Sequence, residues 1–232
     1  MSRWPQLSPE RRAALEEVRD EFLHNAPRGR RILAVDGPDG AGKSRFAADL
    51  VLAFERAGVA TFHASIDDFH APKEVRYARG RFSPDGYYER AFDYSLLRRV
   101  LVEPFRMGGS TGFQLAGFDL ERDEPREAEW TTGPADAVLI IDGVLLQRPE
   151  LRGLWNGAIW VDAQPEERAR RMLERDGQRP GSEHAARYEG AQRRYVREAK
   201  PNTAAWAILD LTDPDRPVRR YADFCSVEPL PL

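Results

Sequence analysis

The chain has 232 residues, of which 41% are apolar and 31% charged, with a formal net charge of −3. This composition excludes global disorder, and the length suits one globular domain or one domain with an inserted lid. The near-neutral charge argues against bulk binding to nucleic acid, which usually requires a strongly basic face.

Targeting and redox signals are sparse. No apolar run approaches the ~18 residues of a membrane span, and residues 1–9 contain no apolar signal segment. The single cysteine, Cys225, cannot form an internal disulfide. We therefore expect a cytoplasmic protein that binds neither membranes nor nucleic acid, and a homo-oligomer is left open.

The predicted elements alternate between helices and short apolar strands, which is typical of an α/β fold with a mostly parallel sheet covered on both faces. Ser8 is a candidate N-cap for the first helix, with Pro9 at its first position. The chain after Pro214 is expected to be an irregular, loosely attached tail. The helices are predicted at 8–25, 43–57, 92–107 and 165–176, the strands at 31–36, 59–65, 113–118, 137–142, 158–162 and 204–211, and polar loops at 66–91 and 119–136.

A phosphate-binding loop is predicted between the first strand and the second helix. The residues 37–44 fit the pattern G-x-x-x-x-G-K-[ST], in which backbone N–H groups surround phosphate oxygens, the lysine reaches the β- and γ-phosphates and the hydroxyl binds Mg²⁺. This motif predicts a bound nucleotide. The candidate nucleotide-binding residues are Gly37, Pro38, Asp39, Gly40, Ala41, Gly42, Lys43, Ser44 and Arg45.

Two acidic positions follow other strands of the predicted sheet. Because the carboxyl ends of parallel strands share one edge, Asp142 at the end of its strand is expected beside Ser44, where both would hold Mg²⁺. Asp67 follows the strand at 59–65, so we expect it at the same edge, as the carboxylate that orients an acceptor hydroxyl and takes its proton. The adjacent Asp68 is expected to point elsewhere, and His63, inside the strand, is interpreted as a core residue.

The segment 66–93 has the polar and aromatic composition of a substrate pocket. The residues assigned to acceptor binding are Asp68, His70, Arg79, Tyr87, Tyr88 and, further along the chain, Phe118.

An arginine-rich segment follows the strand at 158–162. Arg168, Arg171 and Arg175 are spaced to share one face of a helix. This face, beside Gly177 and Gly181, predicts a lid at 166–198 that closes over the transferred phosphate. The alternative is a solvated charged helix paired with Glu166 and Glu167.

Taken together, the segments GPDGAGKS, SIDDFH, LIIDGVLL and VDAQPEERARRMLERD resemble those of the uridine kinase, phosphoribulokinase and bacterial pantothenate kinase family. The resemblance covers residues 30–213. It implies a P-loop NTPase three-layer sandwich with an Arg-rich helical lid for residues 30–213. The rest of the chain is expected to form an N-terminal helix at 1–29 and a tail at 214–232. The resemblance also implies that Asp67 is the base, and that Arg168, Arg171 and Arg175 contact ATP and the transition state.

The nucleoside-recognition segments of uridine kinases are not matched. Tyr87 stands where their ribose-binding aspartate is expected, and the stretch from Phe118 to Asp123 lacks the tyrosine and histidine that grip the base. The segment Asp67–Pro72 is closer to the pantothenate kinase style.

These observations predict a kinase that uses ATP and Mg²⁺, with Lys43, Asp67, Arg168 and Arg171 as catalytic residues and a small hydroxyl-bearing metabolite as acceptor. Uridine or cytidine is the first expected acceptor, and pantothenate or a sugar is the alternative. The alternatives from another functional class are a GTPase switch and a non-catalytic nucleotide-binding regulator. Neither Lys73 nor Lys200 lies in the [NT]-K-x-D motif of GTPases.

Overall fold

The computed structural model describes residues 7–177, 179 and 181–221. Cys225 and the end of the expected tail lie outside the described residues. In the described part of the chain, no helix combines the length and the apolarity needed to cross a membrane.

A six-stranded sheet forms the centre of the molecule, with strand order β2-β5-β1-β6-β7-β8. The first five strands in this order are parallel, and β8 is antiparallel to β7. Two short strands, β3 and β4, form a separate antiparallel pair. The strands are β1 Arg31–Asp36, β2 Thr61–Ser65, β3 Phe118–Asp119, β4 Glu124–Pro125, β5 Val138–Gly143, β6 Gly157–Asp162, β7 Ala207–Asp210 and β8 Val218–Arg220.

Helices cover both faces of this sheet, which gives the predicted three layers. A π-helical segment, Arg98–Val102, joins two of the helices without a break. The helices are α1 Pro9–Asn25, α2 Lys43–Arg56, α3 Lys73–Arg76, α4 Pro84–Arg90, α5 Tyr94–Leu97, α6 Glu103–Met107, α7 Pro165–Asp176, α8 Glu183–Ala199 and α9 Pro201–Ala204.

The sheet register brings the predicted functional segments to one edge. The central strand β5 is buried along its whole length, as its apolar sequence requires for a parallel strand covered on both faces. Asp142 on β5 pairs in register with Ser65 on β2, and Gly143 pairs with Asp36 on β1. The segments that leave β1 and β2 therefore start beside Asp142.

The chain after Pro214 is more regular than the sequence predicts. The β8 strand extends the sheet, and Arg219 on it forms an ion pair with Glu21 on α1. Arg11 on α1 is buried, pairs with Asp49 at 2.7 Å and donates a hydrogen bond of 2.6 Å to the Pro214 carbonyl. The expectation of an irregular tail is thus wrong for the described residues, because arginines on both sides attach this segment to α1.

Three local predictions also differ from the structure. The expected loop 66–91 contains a 3₁₀ helix at Ile66–Phe69 together with α3 and α4, the last capped by the Ser83 hydroxyl. The expected strand 113–118 is reduced to one bridge at Phe113 and the start of β3. The start of the expected strand 204–211 is occupied by α9, because Pro201 begins a helical turn there. The Ser8 cap of α1 is confirmed.

A buried network of hydrogen bonds holds Asp36, the last residue of β1, beside the first residue of the phosphate loop. The Tyr195 hydroxyl on α8 donates to Asp36 Oδ2 and accepts a bond of 2.8 Å from the Gln147 backbone N–H. The other Asp36 oxygen accepts from the Gly37 N–H at 2.8 Å. Burial raises the pKa of Asp36 to about 6, although these hydrogen bonds oppose the shift.

Removing one hydroxyl from this network should destabilise the fold. Tyr195→Phe leaves the buried Gln147 N–H without its acceptor and removes one of the donors to Asp36, so we expect the free energy of unfolding to fall by about 1–3 kcal/mol. Urea unfolding at pH 7 measures this loss. As the matched control, Tyr221→Phe removes the hydroxyl of an exposed tyrosine and should change stability by less than about 0.5 kcal/mol. Equal stability of the two variants would contradict the role of the network.

Candidate active site

The predicted phosphate loop joins β1 to α2 with the geometry that its sequence indicates. Gly40 and Gly42 have φ angles of +76° and +92°, which favour glycine. Lys43 is buried, and its Nζ donates a 2.8 Å hydrogen bond to the Pro38 carbonyl within the loop. Since α2 begins at Lys43, its free N–H groups and helix dipole face the loop, as phosphate binding requires.

Close backbone approaches hold the loop in place. A Cβ atom at Gly37 would lie 2.0 Å from the Val161 carbonyl oxygen, and one at Gly40 would lie 2.6 Å from the Arg168 carbonyl oxygen. The loop is therefore packed against the end of β6 and the start of α7. Only glycine fits at these two positions without a shift of the backbone.

Ser44 and Asp142 meet as predicted. The Ser44 hydroxyl donates to Asp142 Oδ2 at 2.6 Å. His63 Nε2 lies 2.8 Å from the other oxygen, Asp142 Oδ1, so His63 is a partner of the carboxylate and the interpretation of His63 as a core residue is wrong. No sequence pattern indicates this contact, because it depends on β2 lying next to β5.

A hydroxyl and a carboxylate at this distance are hard oxygen ligands of the kind that Mg²⁺ prefers, so the pair fits that ion. The described residues contain no group of three or more His, Cys, Asp or Glu side chains that could hold a metal by themselves. An ion bound here would therefore take its remaining ligands from phosphate oxygens and water.

The two adjacent aspartates after β2 diverge. Asp67, in the 3₁₀ helix after Ser65, is open to water at the wall of a cavity. Asp68 lies with its Oδ1 3.4 Å from Arg126 Nη1. The prediction that only one of them faces the phosphate loop agrees with this arrangement.

The surrounding protein and nearby negative charges raise the pKa of Asp67 to about 6. Desolvation is the largest cause, followed by the charge of Asp39, while Lys43 opposes the shift. The Asp67 side chain is exposed, but it faces a cavity that is lined by protein. A carboxylate in this setting is a stronger base than a free aspartate and is still mostly ionised at pH 7.

The cavity beside Asp67 has a volume of about 620 Å³, large enough for a small metabolite. The phosphate loop supplies Asp39 to its wall, the segment after β2 supplies Asp67, and the lid helices supply the opposite side. The remaining lining residues are His70, Tyr87, Leu120, Arg175, Asp176, Gly177, Arg179, Ser182, His184 and Tyr188.

Of the residues assigned to acceptor binding, the structure brings His70 and Tyr87 to this cavity. Asp68 is not among the lining residues and lies beside Arg126. Burial is the main cause that lowers the pKa of His70 to about 4, so its ring is neutral and Nδ1–H donates to the Asp67 carbonyl at 2.8 Å. Tyr88 packs beneath the guanidinium of Arg148 instead. Arg79 forms an ion pair with Glu89 at 3.0 Å, and Phe118 is buried in β3.

The predicted lid consists of α7 and α8, and α8 packs against α4. Arg175 lines the cavity beside Asp176. Arg171 donates to the carbonyls of Gly40 and Ala41 at 3.2 and 3.3 Å, while Arg168 donates to the Ala163 carbonyl at 3.2 Å. In this conformation Arg175 is the member of the arginine face that reaches the cavity, and Arg171 supports the loop.

Sequence comparisons find no protein-family model that matches the chain and no curated protein with significant similarity. Solved structures share its fold. A possible uridine kinase from Bacillus stearothermophilus has a TM-score of 0.67 and 21% identity, over 85% of this chain and 97% of that one.

Two other solved structures are similar at lower scores. A protein from Silicibacter sp. TM1040, provisionally described as a fructose transport system kinase, has a TM-score of 0.61 and 23% identity, over 80% of this chain and 93% of that one. D-glycerate 3-kinase from Cryptococcus neoformans has a TM-score of 0.53 and 13% identity, over 87% of this chain and 93% of that one. The chain therefore has the α/β fold of these three structures, as predicted.

Proposed function

We propose that this protein is an ATP- and Mg²⁺-dependent kinase that transfers a phosphoryl group to an alcohol of a small metabolite. The observation that carries the proposal is the cavity shared by the phosphate loop and Asp67. Asp39 from the loop and the Asp67 carboxylate line the same space. A nucleotide on the loop and an alcohol beside Asp67 would therefore meet.

Each group in the site has a role in that reaction. The backbone amides of residues 38–44 and the Lys43 ammonium hold the phosphates and oppose their charge. Asp67 accepts a hydrogen bond from the acceptor hydroxyl and takes its proton as the oxygen bonds to the γ-phosphorus of ATP. The bond from that phosphorus to the β,γ-bridging oxygen breaks, and ADP leaves. Arg175, on the opposite wall, is placed to approach the transferred group.

Ser44 and Asp142 would hold the Mg²⁺ ion, whose charge stabilises the phosphate oxygens when it is bound. His63 fixes the orientation of Asp142 through its hydrogen bond. We include His63 among the residues that position the metal site, together with the residues predicted from the sequence.

The rival functions are less well supported. A GTPase usually recognises guanine through [NT]-K-x-D, and neither Lys73 nor Lys200 lies in that pattern. A regulator without catalysis would not need a carboxylate with a raised pKa in a metabolite-sized cavity. We also propose that the protein is located in the cytoplasm.

For the acceptor, we retain the two classes of alcohol that the sequence indicates. Uridine or cytidine is supported by the sequence resemblance and by the fold shared with a possible uridine kinase. A sugar or a pantothenate-type acid is supported by the similarity to the pantothenate kinase style and by the other kinases that share the fold.

Measuring ADP formation from ATP and Mg²⁺ tests this function. The acceptors to screen are uridine, cytidine, pantothenate, D-glycerate and fructose, each against a sample without acceptor. We expect at least one of them to stimulate ADP release and to yield a phosphorylated product by mass spectrometry. Failure of a broad set of alcohols to do so would overturn the kinase proposal in favour of a regulator.

A further inference from the structure

The described part of the chain contains four buried arginines, and three of them have an anionic partner. Arg11 pairs with Asp49 at 2.7 Å, Arg76 with Asp123 at 2.7 Å and Arg148 with Glu150 at 2.6 Å. This is the usual arrangement, because a buried guanidinium that lacks a partner loses its hydration without replacement.

Arg187 on α8 is the exception. It is only 4% exposed, yet it makes no ion pair or hydrogen bond with any residue that the structure describes. Its Nε atom is buried without a partner. A charge in this condition is costly for folding, so its presence suggests that a partner arrives from outside the protein.

Three tyrosines surround the Arg187 guanidinium. Its central carbon lies 5.0 Å from the ring centroid of Tyr87, 5.1 Å from that of Tyr77 and 5.5 Å from that of Tyr188. Such contacts hold the flat face of the cation in place. These ring contacts do not use the N–H donors along the edge of the guanidinium. Those donors are the groups that form bidentate hydrogen bonds with an oxyanion.

This cation lies behind the aromatic wall of the acceptor cavity. Tyr87 and Tyr188, which contact the guanidinium, both line the cavity that contains Asp67. Burial chiefly raises the pKa of Tyr87; Asp39 and Asp67 add to the shift, and Arg187 opposes it. The charges of Asp67 and Arg187 thus both act on Tyr87. The cavity has a carboxylate that suits an alcohol and, beyond an aromatic wall, a cation that suits a negative group.

We propose that Arg187 binds an anionic group of the acceptor, a carboxylate or a phosphate, while the acceptor hydroxyl lies at Asp67. This inference rests on the proposed kinase function and narrows its substrate to alcohols that carry a negative charge. Among the acceptors considered above, it favours acids of the pantothenate type and phosphorylated sugars over uncharged nucleosides.

Matched acceptor pairs test the charge requirement. D-glycerate with glycerol and pantothenate with pantothenol probe a carboxylate, and fructose 6-phosphate with fructose probes a phosphate. For the preferred scaffold, we expect kcat/KM of the wild-type protein to be about 10²-fold higher for the charged member. Arg187→Gln should reduce that preference to a few-fold, mainly through KM, and Arg187→Lys should restore part of it.

The stability of the unliganded protein separates recognition from a structural role. Arg187→Gln removes a charge that has no described partner, so the melting temperature should stay equal or rise. Arg11→Gln, the matched control, breaks a buried ion pair, so it should lower the melting temperature and leave the charged-to-uncharged ratio unchanged. If Arg187→Gln lowers the melting temperature as much as the control and keeps the acceptor preference, Arg187 is structural and the inference is overturned.

Calorimetric titration of the same acceptor pairs in the presence of ADP and Mg²⁺ keeps the two proposals distinct. Binding of a charged acceptor that depends on Arg187, together with no phosphorylation of that acceptor in a separate assay with ATP and Mg²⁺, would support this inference and overturn the kinase function. Phosphorylation of an uncharged acceptor as efficiently as its charged analogue would overturn this inference alone. If no charged acceptor binds, the inference is also overturned.

Discussion

Asp67→Asn is expected to lower kcat for the preferred acceptor by about 10²–10⁴-fold, the usual contribution of a positioned general base. Asparagine keeps the size of the side chain and its hydrogen-bonding capacity, but it cannot take the proton of the alcohol. Because Asp67 does not belong to the phosphate loop, the affinity for ATP should change only slightly. Initial rates with varied ATP and varied acceptor measure both effects.

The neighbouring aspartate provides a matched control. Asp68→Asn makes the same chemical change one residue away, at a side chain that lies beside Arg126. We expect it to retain most of the activity. If both variants were equally active, Asp67 would not be the base, and if Asp68→Asn lost the greater share, the two assignments would be exchanged.

The activity should also depend on pH through the same carboxylate. Desolvation and the charges of Asp39, Asp142 and Asp68 raise the pKa of Asp67 to about 6, against the opposing charge of Lys43. The reactive form is the ionised one, so kcat/KM should be fully developed above this pKa and fall about tenfold per pH unit below it. A profile of kcat/KM from pH 5 to 8 checks the direction. A flat profile across this range would contradict the role of Asp67.

Replacing Lys43 is the second change with a large expected effect. Lys43→Ala removes the positive charge closest to the phosphates, so we expect kcat to fall by about 10²–10³-fold, as for other groups that stabilise charge in a transition state. Lys43→Arg should not restore activity, because the buried position beside the Pro38 carbonyl suits a compact ammonium and not a planar guanidinium.

Lys73→Ala is the control for this prediction, since Lys73 contributes its backbone N–H and not its side chain to the contact with Asp123. We expect wild-type rates from it. Folding of the Lys43 variants is checked by circular dichroism, and binding of ATP is checked by titration. A Lys43→Ala variant with nearly full kcat would show that the loop does not hold the transferred phosphate.

The sequence predicts the phosphate loop, the Ser44–Asp142 pair and the position of Asp67, because each depends on local pattern and on the shared edge of a parallel sheet. It does not predict His63 as a partner of Asp142, because that contact depends on which strands are neighbours. The four-residue segment after Ser65 and the helix at Pro84 are also missed, since helices this short carry little periodicity.

The acceptor side is where prediction from residue type is weakest. Tyr88 is expected at the acceptor from the composition of its segment and Phe118 from the resemblance to uridine kinases, but both side chains pack within the protein. Arg187 belongs to an arginine-rich segment in which the spacing distinguishes Arg168, Arg171 and Arg175 and gives no signal for Arg187. What distinguishes Arg187 is that it lacks an anionic partner among the described residues. This depends on which residues surround it in the folded chain, and the sequence does not show that.

The hydrogen bonds from Arg171 to the phosphate loop limit how the predicted lid can move. The Arg171 guanidinium joins the carbonyls of Gly40 and Ala41 to those of Leu211 and Thr212. A swing of the whole of α7 would break these bonds and separate Gly40 from the Arg168 backbone. These contacts attach the beginning of α7 to the phosphate loop. If the predicted lid closes, its pivot would therefore lie beyond Asp176, where Gly177 adopts a φ of +64°. Arg175, one turn beyond Arg171, is the arginine of the face closest to that pivot.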